Sequence, residues 1–386
     1  MIPYSRQLID QKDIKSVVKV LKSNLLTQGP LVPKFEKKIQ SIVKSKYAVA
    51  VNSATSGLHI ACLSLGLKKG DIMWTTPNSF VASANCALYC NAKIDFVDIN
   101  LYDFNICHEK LEEKLKLSKK KNQLPKILVV VHFAGNPYNL EKIKVLSKKY
   151  RFKIIEDASH ALGAKFKKSM IGSCKYSDAT IFSFHPVKPI TTGEGGIVTT
   201  NYKKIFDKLK LFRNHGVTRE KSLMKFKSKN QWYYEQVELG YNYRMNDIEA
   251  ALGISQINKL NKFNRIRNKI AKFYNSEFKK LPLKTQKIEK SNYSSFHLYV
   301  IFLSQNNVNL KKKLFQKLRK KKFLVNVHYI PIHTQPFYKS IGFTSNQFPN
   351  SVHYYKNALS LPIHPLVKLK DIKKVVNIVK KFLINR

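Results

Sequence analysis

Short apolar runs alternating with amphipathic helices predict an α/β protein, built as a large domain on a mainly parallel sheet with a smaller α+β domain at the C-terminal end. Three observations carry this. The runs Ile127–Val131, Lys153–Asp157, Ala179–Phe184 and Gly196–Thr200 are short, mostly apolar and end in polar residues, as strands buried on both faces do. Between the first two, Leu140 to Tyr150 places Ile143, Leu146 and Tyr150 at helical spacing. From about residue 250 the texture changes, and 386 residues exceed what one hydrophobic core usually organises, which gives domains at 1–246 and 247–386.

Taken in order, Asn52-Ser53-Ala54-Thr55-Ser56-Gly57 precedes an apolar helical run from Leu58 to Leu67. The strands and helix named above follow. In such sheets ligands bind beyond the carboxyl ends of the strands, so Asp157 and the stretch Ser183 to Lys188 fall where chemistry is expected. A long helical stretch from Asp247 to about Phe278 then leads into strand-like Phe296 to Leu303 and a Lys-rich helix from Leu310 to Lys322. That basic helix could lie on a membrane surface, but Leu310, Leu314 and Leu318 read as a stripe facing the core. No internal repeat or low-complexity linker is present.

The chain carries 70 Lys plus Arg against 24 Asp plus Glu, a net charge of +46. Such a field can mark a nucleic-acid or membrane binder. The lysines, however, are spread over the whole chain among many Asn, Ile, Phe and Tyr, as compositional bias and a solvated basic surface would give. Neither a nucleic-acid nor a membrane partner is expected, although the field would draw in an anionic substrate. Five scattered cysteines with no C-x-x-C pair suggest neither a disulfide framework nor a zinc knuckle, and fit a reducing cytoplasm. The opening residues lack the plan of a signal peptide, and no apolar run is long enough to span a bilayer. His328 and His333 lack a convincing set of companion ligands, so no metal is expected. Neither the phosphate-loop nor the dinucleotide fingerprint occurs, which leaves nucleotide hydrolysis and nicotinamide chemistry without support.

Three stretches carry chemistry. Small hydroxyl residues at the start of the Leu58 helix offer backbone N–H groups and a favourable dipole to a phosphate, although the same residues cap helices in any fold. In Glu156-Asp157-Ala158-Ser159-His160-Ala161-Leu162-Gly163, a carboxylate at a strand end can hold a pyridine nitrogen protonated, or can simply cap the turn. In Ser183-Phe184-His185-Pro186-Val187-Lys188-Pro189-Ile190-Thr191-Thr192-Gly193-Glu194-Gly195-Gly196, a strand delivers a serine and then a lysine enclosed by apolar residues and prolines. Partial desolvation weakens a lysine's preference for the charged form and makes it a usable amine nucleophile for an aldehyde.

With these stretches the sequence resembles the DegT/StrS-type sugar aminotransferases, which share the fold type I architecture of pyridoxal-phosphate enzymes. The likeness covers nearly the whole chain. It also runs through Leu26-Thr27-Gln28-Gly29-Pro30, Thr75 to Ala82, Phe212-Arg213-Asn214-His215-Gly216, Gly240 to Asp247 and Val327 to His333. The resemblance implies that Lys188 holds pyridoxal 5'-phosphate covalently and shuttles the proton, that Asp157 partners the pyridine nitrogen, and that Ala54, Thr55 and Ser183 meet the phosphate. It implies that Phe80 stacks on the ring, that His160 is a further cofactor contact, and that Asn242 reaches the cofactor of a neighbouring subunit in a homodimer with shared sites. Within the family, the residues around Lys188, Asp157 and His328 are similar to members that move an amino group from L-glutamate to C4 of a UDP-linked 4-keto-6-deoxy-N-acetylhexosamine in pseudaminic acid synthesis. By that likeness Tyr4, Asn24, Leu25, Leu26, Thr27, His328 and Tyr329 would contact the sugar nucleotide.

Three rivals stand beside this expectation. A sugar dehydratase of the same fold keeps the cofactor but has histidine where this chain has Lys188. An aminotransferase for another ketosugar, GDP-linked or dTDP-linked, shares the fold and cofactor chemistry. A non-catalytic polyanion binder on this fold would show steep salt dependence on duplex nucleic acid.

Overall fold

The computed structural model describes residues 1–226, 228, 230–304 and 308–384. Seven strands form the central sheet: β1 (Tyr47–Val51), β2 (Ile72–Thr75), β3 (Lys93–Phe96), β4 (Ile127–Val131), β5 (Lys153–Asp157), β6 (Ala179–Ser183) and β7 (Gly196–Thr200), in spatial order β1-β7-β6-β5-β4-β2-β3. Only β7 runs against its neighbours, pairing antiparallel with both β1 and β6. The sheet is mainly parallel, as expected.

Alternation along each strand sends side chains to two cores on opposite faces. From β4, Leu128 and Val130 enter one core with residues of α2 (Leu31–Val43) and α6 (Leu140–Tyr150). Ile127 and Val129 enter the other with residues of α3 (Ala54–Ser64), α4 (Ala82–Tyr89) and α7 (Lys203–Arg213). Every β4 residue is buried, which is why its sequence is continuously apolar rather than alternating.

The stretch predicted as one helix from Asp247 is two, α8 (Asp247–Ile257) and α9 (Leu260–Phe278). At the break the Lys259 ammonium is pinned 2.6 Å from both Asp10 and Asp13, and no proline or glycine marks the turn in the sequence. α8 packs on α2 and on α1 (Gln11–Leu21) in the layer covering the large sheet. α9 serves two cores: Leu260 and Phe263 join the large sheet's, while Ile270, Tyr274 and Phe278 join a third.

That third core sits on an antiparallel sheet of β8 (Leu283–Thr285), β9 (Tyr299–Leu303) and β10 (Ala358–Leu361). Leu310, Leu314 and Leu318 of the helix Val308–Lys320 point into it and are at most 1% exposed, each stabilising the fold by roughly 1.5–3 kcal/mol. β9 is shorter at its start than the predicted Phe296–Leu303, because Phe296 takes a positive φ of 45° and the carbonyl of His297 is held by Arg267 instead of a neighbouring strand. The N-terminal residues are stitched to this half of the molecule: Ile2–Pro3 pairs parallel with Phe323–Leu324, and Ile363 N–H donates to Tyr4 O at 2.9 Å.

Candidate active site

A cavity of about 520 Å³ opens at the carboxyl ends of β5 and β6, with Asp157, Ser183 and Lys188 in its wall. Lys188 lies on a loop folded back on the end of β6: its N–H donates to His185 O at 2.9 Å, Thr192 N–H donates to Phe184 O at 3.0 Å, and Phe184 N–H donates to Gly195 O at 2.9 Å. From the far side, Ser5 Oγ donates to Val187 O at 2.8 Å. Burial lowers the Lys188 ammonium from the usual lysine range to about 8, with the nearby Asp157 carboxylate opposing the shift. An amine so placed is available uncharged near neutral pH.

Asp157 is 6% exposed, and its carboxylate is already oriented. Ser83 Oγ donates to Oδ2 at 2.6 Å, while Ser159 donates to Oδ1 from Oγ at 2.6 Å and from its N–H at 3.1 Å. Ser79, 2.7 Å from Ser83, extends the chain of hydroxyls. The carboxylate is thereby fixed facing the cavity.

Opposite, the first turn of α3 presents Ala54 and Thr55, whose N–H groups have no partner within the helix. Ser53 caps the helix by accepting from Ser56 N–H at 3.1 Å, and Ser56 Oγ donates to Asn52 Oδ1 at 2.7 Å. At Gly196 an added Cβ would lie 2.6 Å from Ala54 N, so only glycine lets β7 approach the turn this closely. Phe80 is 58% exposed at the cavity, a large ring with one face uncovered.

The remaining wall comes from Tyr4 near the N-terminus and from His297, His328 and Tyr329 in the C-terminal part of the chain. His328 Nδ1 meets Ser360 Oγ at 2.9 Å, and its ring packs edge-on to Tyr4 with centroids 4.7 Å apart. His160 Nδ1 accepts from Ala134 N–H at 3.2 Å, so in the neutral ring the hydrogen sits on Nε2, 3.1 Å from Tyr329 Oη. Tyr329 thus accepts from His160 and keeps its own hydroxyl hydrogen for the cavity. Burial, reinforced by Lys188 and His328, holds His160 well below its usual range, and burial with Lys188 pushes His328 down to about 3.

The structure therefore brings together Tyr4, Ala54, Thr55, Phe80, Asp157, His160, Ser183, Lys188, His328 and Tyr329. It leaves Asn24, Leu25, Leu26, Thr27 and Asn242 outside this chain's cavity. Leu26 O accepts from Asp247 N–H at 2.9 Å, and Asn242 forms an antiparallel bridge with Asn214. Sequence reading passed over Ser83, Ser159 and His297. Ser159 had a signal, a hydroxyl two residues after Asp157 that can bond back to it; Ser83 and His297 reach the site from distant segments and had none.

The donor set fits a flat ring bearing a phosphate and an aldehyde. A helix N-terminus with Ser183 suits the phosphate, the fixed carboxylate of Asp157 suits a protonated ring nitrogen, the exposed Phe80 ring suits a ring face, and a weakly basic Lys188 suits the aldehyde. Among the described residues, no group of three or more His, Cys, Asp or Glu is placed to hold a metal ion, and no helix is long and apolar enough to cross a membrane.

The chain is 43% identical over 376 residues, 97% of its length and 96% of the relative's, to the UDP-4-amino-4,6-dideoxy-N-acetyl-beta-L-altrosamine transaminase of Campylobacter jejuni. Its structure superposes on Helicobacter pylori PseC, an aminotransferase involved in the biosynthesis of pseudoaminic acid, with a TM-score of 0.91 at 33% identity, covering 100% of each chain. A Streptococcus pneumoniae protein described as a sugar aminotransferase, solved in its PLP form, superposes with a TM-score of 0.89 at 25% identity over 99% of each chain. The model of the DegT/DnrJ/EryC1/StrS aminotransferase family matches residues 7–380. With that match over nearly its whole length, and with the site geometry above, the chain belongs to the DegT/DnrJ/EryC1/StrS aminotransferase family.

Proposed function

We propose that this enzyme is a pyridoxal-phosphate aminotransferase that passes the amino group of L-glutamate to C4 of a UDP-linked 4-keto-6-deoxy-N-acetylhexosamine. The observation that carries the reading is Lys188, shifted to about 8 and facing Asp157 across one cavity, in a chain 43% identical to the Campylobacter jejuni transaminase. Bound there, the cofactor supplies an electron sink for charge developing on the substrate's reacting carbon.

The residues divide the remaining work. Ala54 and Thr55 at the α3 N-terminus, with Ser183, hold the phosphate. Phe80 covers one face of the ring, and Asp157 keeps the ring nitrogen protonated. His160 and Tyr329 place a hydroxyl donor beside the reacting atoms. Lys188 Nζ takes the proton from the amino donor's α-carbon and returns it on the other side of the exchange, as a positioned amine of tuned basicity can. Tyr4 and His328 line the route by which the sugar nucleotide enters.

The same reading includes a homodimer in which the Asn24 to Thr27 loop and Asn242 complete the partner's site. Large apolar side chains in the segment ahead of Asn242 support it: Phe226, Trp232 and Leu239 are 71%, 74% and 72% exposed. The two-domain division belongs here too, with α9 as the shared element, as does work in the cytoplasm on sugars for cell-surface polysaccharide or flagellin glycosylation.

A visible spectrum of the purified protein and of Lys188→Ala tests the proposal. The expected result is a bound-cofactor band in the wild type that shifts with L-glutamate and returns with the 4-keto UDP-sugar, and no such band in the variant. A band that answers to glutamate but not to the UDP-sugar would overturn the substrate. No band after reconstitution with pyridoxal phosphate would overturn the enzyme.

A further inference from the structure

A cation inside a protein is normally met by a carboxylate, because a full charge taken out of water is costly unless it is paired. Three cations of this fold follow the rule: Arg213 has Glu36 at 2.7 Å, Lys114 has Asp95 at 2.6 Å and Lys259 has Asp13 at 2.6 Å. Arg267, on α9, does not. It is 1% exposed, and among the described residues no carboxylate pairs with it. Burial alone pulls its guanidinium down from the usual arginine range to about 10, with no opposite charge resisting the shift. Since the side chain is sealed within its own chain, a neighbouring subunit cannot supply the missing charge.

The partners that Arg267 does have are all neutral. Nη1 donates to the main-chain oxygens of Ile363, of His297 at 3.2 Å and of Phe296 at 3.5 Å. On the other edge, Nη2 reaches Ser5 Oγ at 3.3 Å, and Nε is buried with no hydrogen-bond partner. The unpartnered nitrogen matters less than the charge, because several buried histidine nitrogens share that condition and cost far less when neutral. The nearby rings of His297 and His364 bring no negative charge either: burial first, with Arg267 among the lesser causes, holds both uncharged.

The second observation is a small cavity of about 10 Å³ on the far side of the Lys188 loop. Arg6, Lys188, Thr191, Gln256, Phe263 and Arg267 stand in its wall, and no residue of that wall carries a carboxylate. Asp13 bonds to Gln256 from outside the wall, but its charge is spent on Lys259. Positive charge therefore faces this space from Arg6 and Arg267 without an answer.

We infer that the cavity is a binding site for one small monovalent anion of chloride size, held by the Nε–Nη2 edge of Arg267 and faced by Arg6. Size decides the class, since a space that takes one water-sized sphere accepts a halide and excludes a carboxylate, sulfate or phosphate. A guanidinium edge offers such an ion two charge-assisted hydrogen bonds. The site also joins four segments: the N-terminal residues, the Lys188 loop, α8 and α9. An anion there braces the Lys188 loop from behind, on the side where Ser5 already holds Val187 O. Nothing in this inference depends on which amino donor or sugar the enzyme takes.

The test uses the cofactor-loaded enzyme and bromide as the probe. Crystals equilibrated in sodium bromide should show an anomalous peak in contact with Arg267 Nε and Nη2. In solution, the thermal unfolding midpoint should rise by roughly 2–5 °C and level off as sodium chloride is added, beyond the rise in sodium gluconate of equal ionic strength, whose anion is too large for the cavity. Arg267→Met, which keeps the apolar stem and removes the charge, should abolish the chloride-specific part of that rise. Arg6→Ala, at the exposed side, should raise the half-saturating chloride concentration several-fold. Should Arg267→Met fail to fold, the wild-type crystals and the Arg6→Ala titration decide. A cavity holding water in bromide-soaked crystals, or equal rises in chloride and gluconate, overturns the anion site and leaves the aminotransferase reading untouched.

Discussion

The two walls of the cavity are built on different plans. The wall supplied by the large sheet is finished before anything binds: Asp157 already accepts three hydrogen bonds, and the Lys188 loop is closed on itself by main-chain bonds. The wall supplied by Tyr4, His297, His328 and Tyr329 is rich in imidazoles, and Tyr329 keeps its hydroxyl hydrogen for the cavity. A cofactor that stays wants a rigid, pre-oriented seat, whereas two substrates that take turns want groups still free to be satisfied by either.

The sharpest way to break this contrast is to remove the centre of the finished wall. Lys188→Ala should lower turnover roughly 10⁴-fold or more, because on the proposed mechanism it removes both the attachment point and the base. Steady-state rates with glutamate and the ketosugar check it. Loss confined to tenfold would mean that another base does the work.

Asp157→Asn is milder and more specific. The amide can keep its serine partners but loses the charge proposed to hold the ring nitrogen protonated, so kcat should fall about 10²- to 10³-fold with the cofactor band still present. An unchanged kcat would reduce Asp157 to a turn cap.

The seam between the walls is exposed by Gly135→Ala. Gly135 has φ of 89°, and an added Cβ would lie 2.1 Å from Ser295 Oγ and 2.7 Å from His160 O. The segment delivering His297 must then shift, and unfolding stability should drop by about 2–4 kcal/mol, read by urea denaturation. Within the imidazole wall, Tyr329→Phe removes the one hydroxyl that His160 orients, and should cost about 1 kcal/mol of transition-state stabilisation, read as a several-fold fall in kcat/KM.

The same division explains what the sequence shows and hides. Ile127–Val131 and Lys153–Asp157 are strands as read, because burial on both faces leaves a continuous apolar signature. Lys188 and Asp157 are legible because each stands beside its own strand end, where local sequence and fold-level position coincide. His297 and Arg267 are not. One follows a residue at positive φ before β9, the other is a cation inside a helix where basic residues are common, and only tertiary contacts bring them behind the cavity. The break between α8 and α9 escaped for a related reason: Asp10 and Asp13, some 250 positions away, hold Lys259 at the turn.

The smallest effect concerns the tuned lysine itself. Its ammonium titrates near 8 in the folded apo-protein against the usual lysine value of 10.5, because burial disfavours the charge. Between those values the unfolded chain binds more protons than the folded one, so stability rises with pH across that window, and below it the full penalty is present. Lys188→Met keeps the apolar stem and discards the charge. At pH 7 the cofactor-free variant should be more stable than the cofactor-free wild type by about 1 kcal/mol, a figure discounted for the partly open cavity. The difference should shrink toward zero as pH passes the usual lysine value. Paired urea unfolding curves at pH 7 and above 10 decide the matter: a gap that stays constant with pH would be a packing effect, and Lys188 would then owe its basicity to something other than its burial.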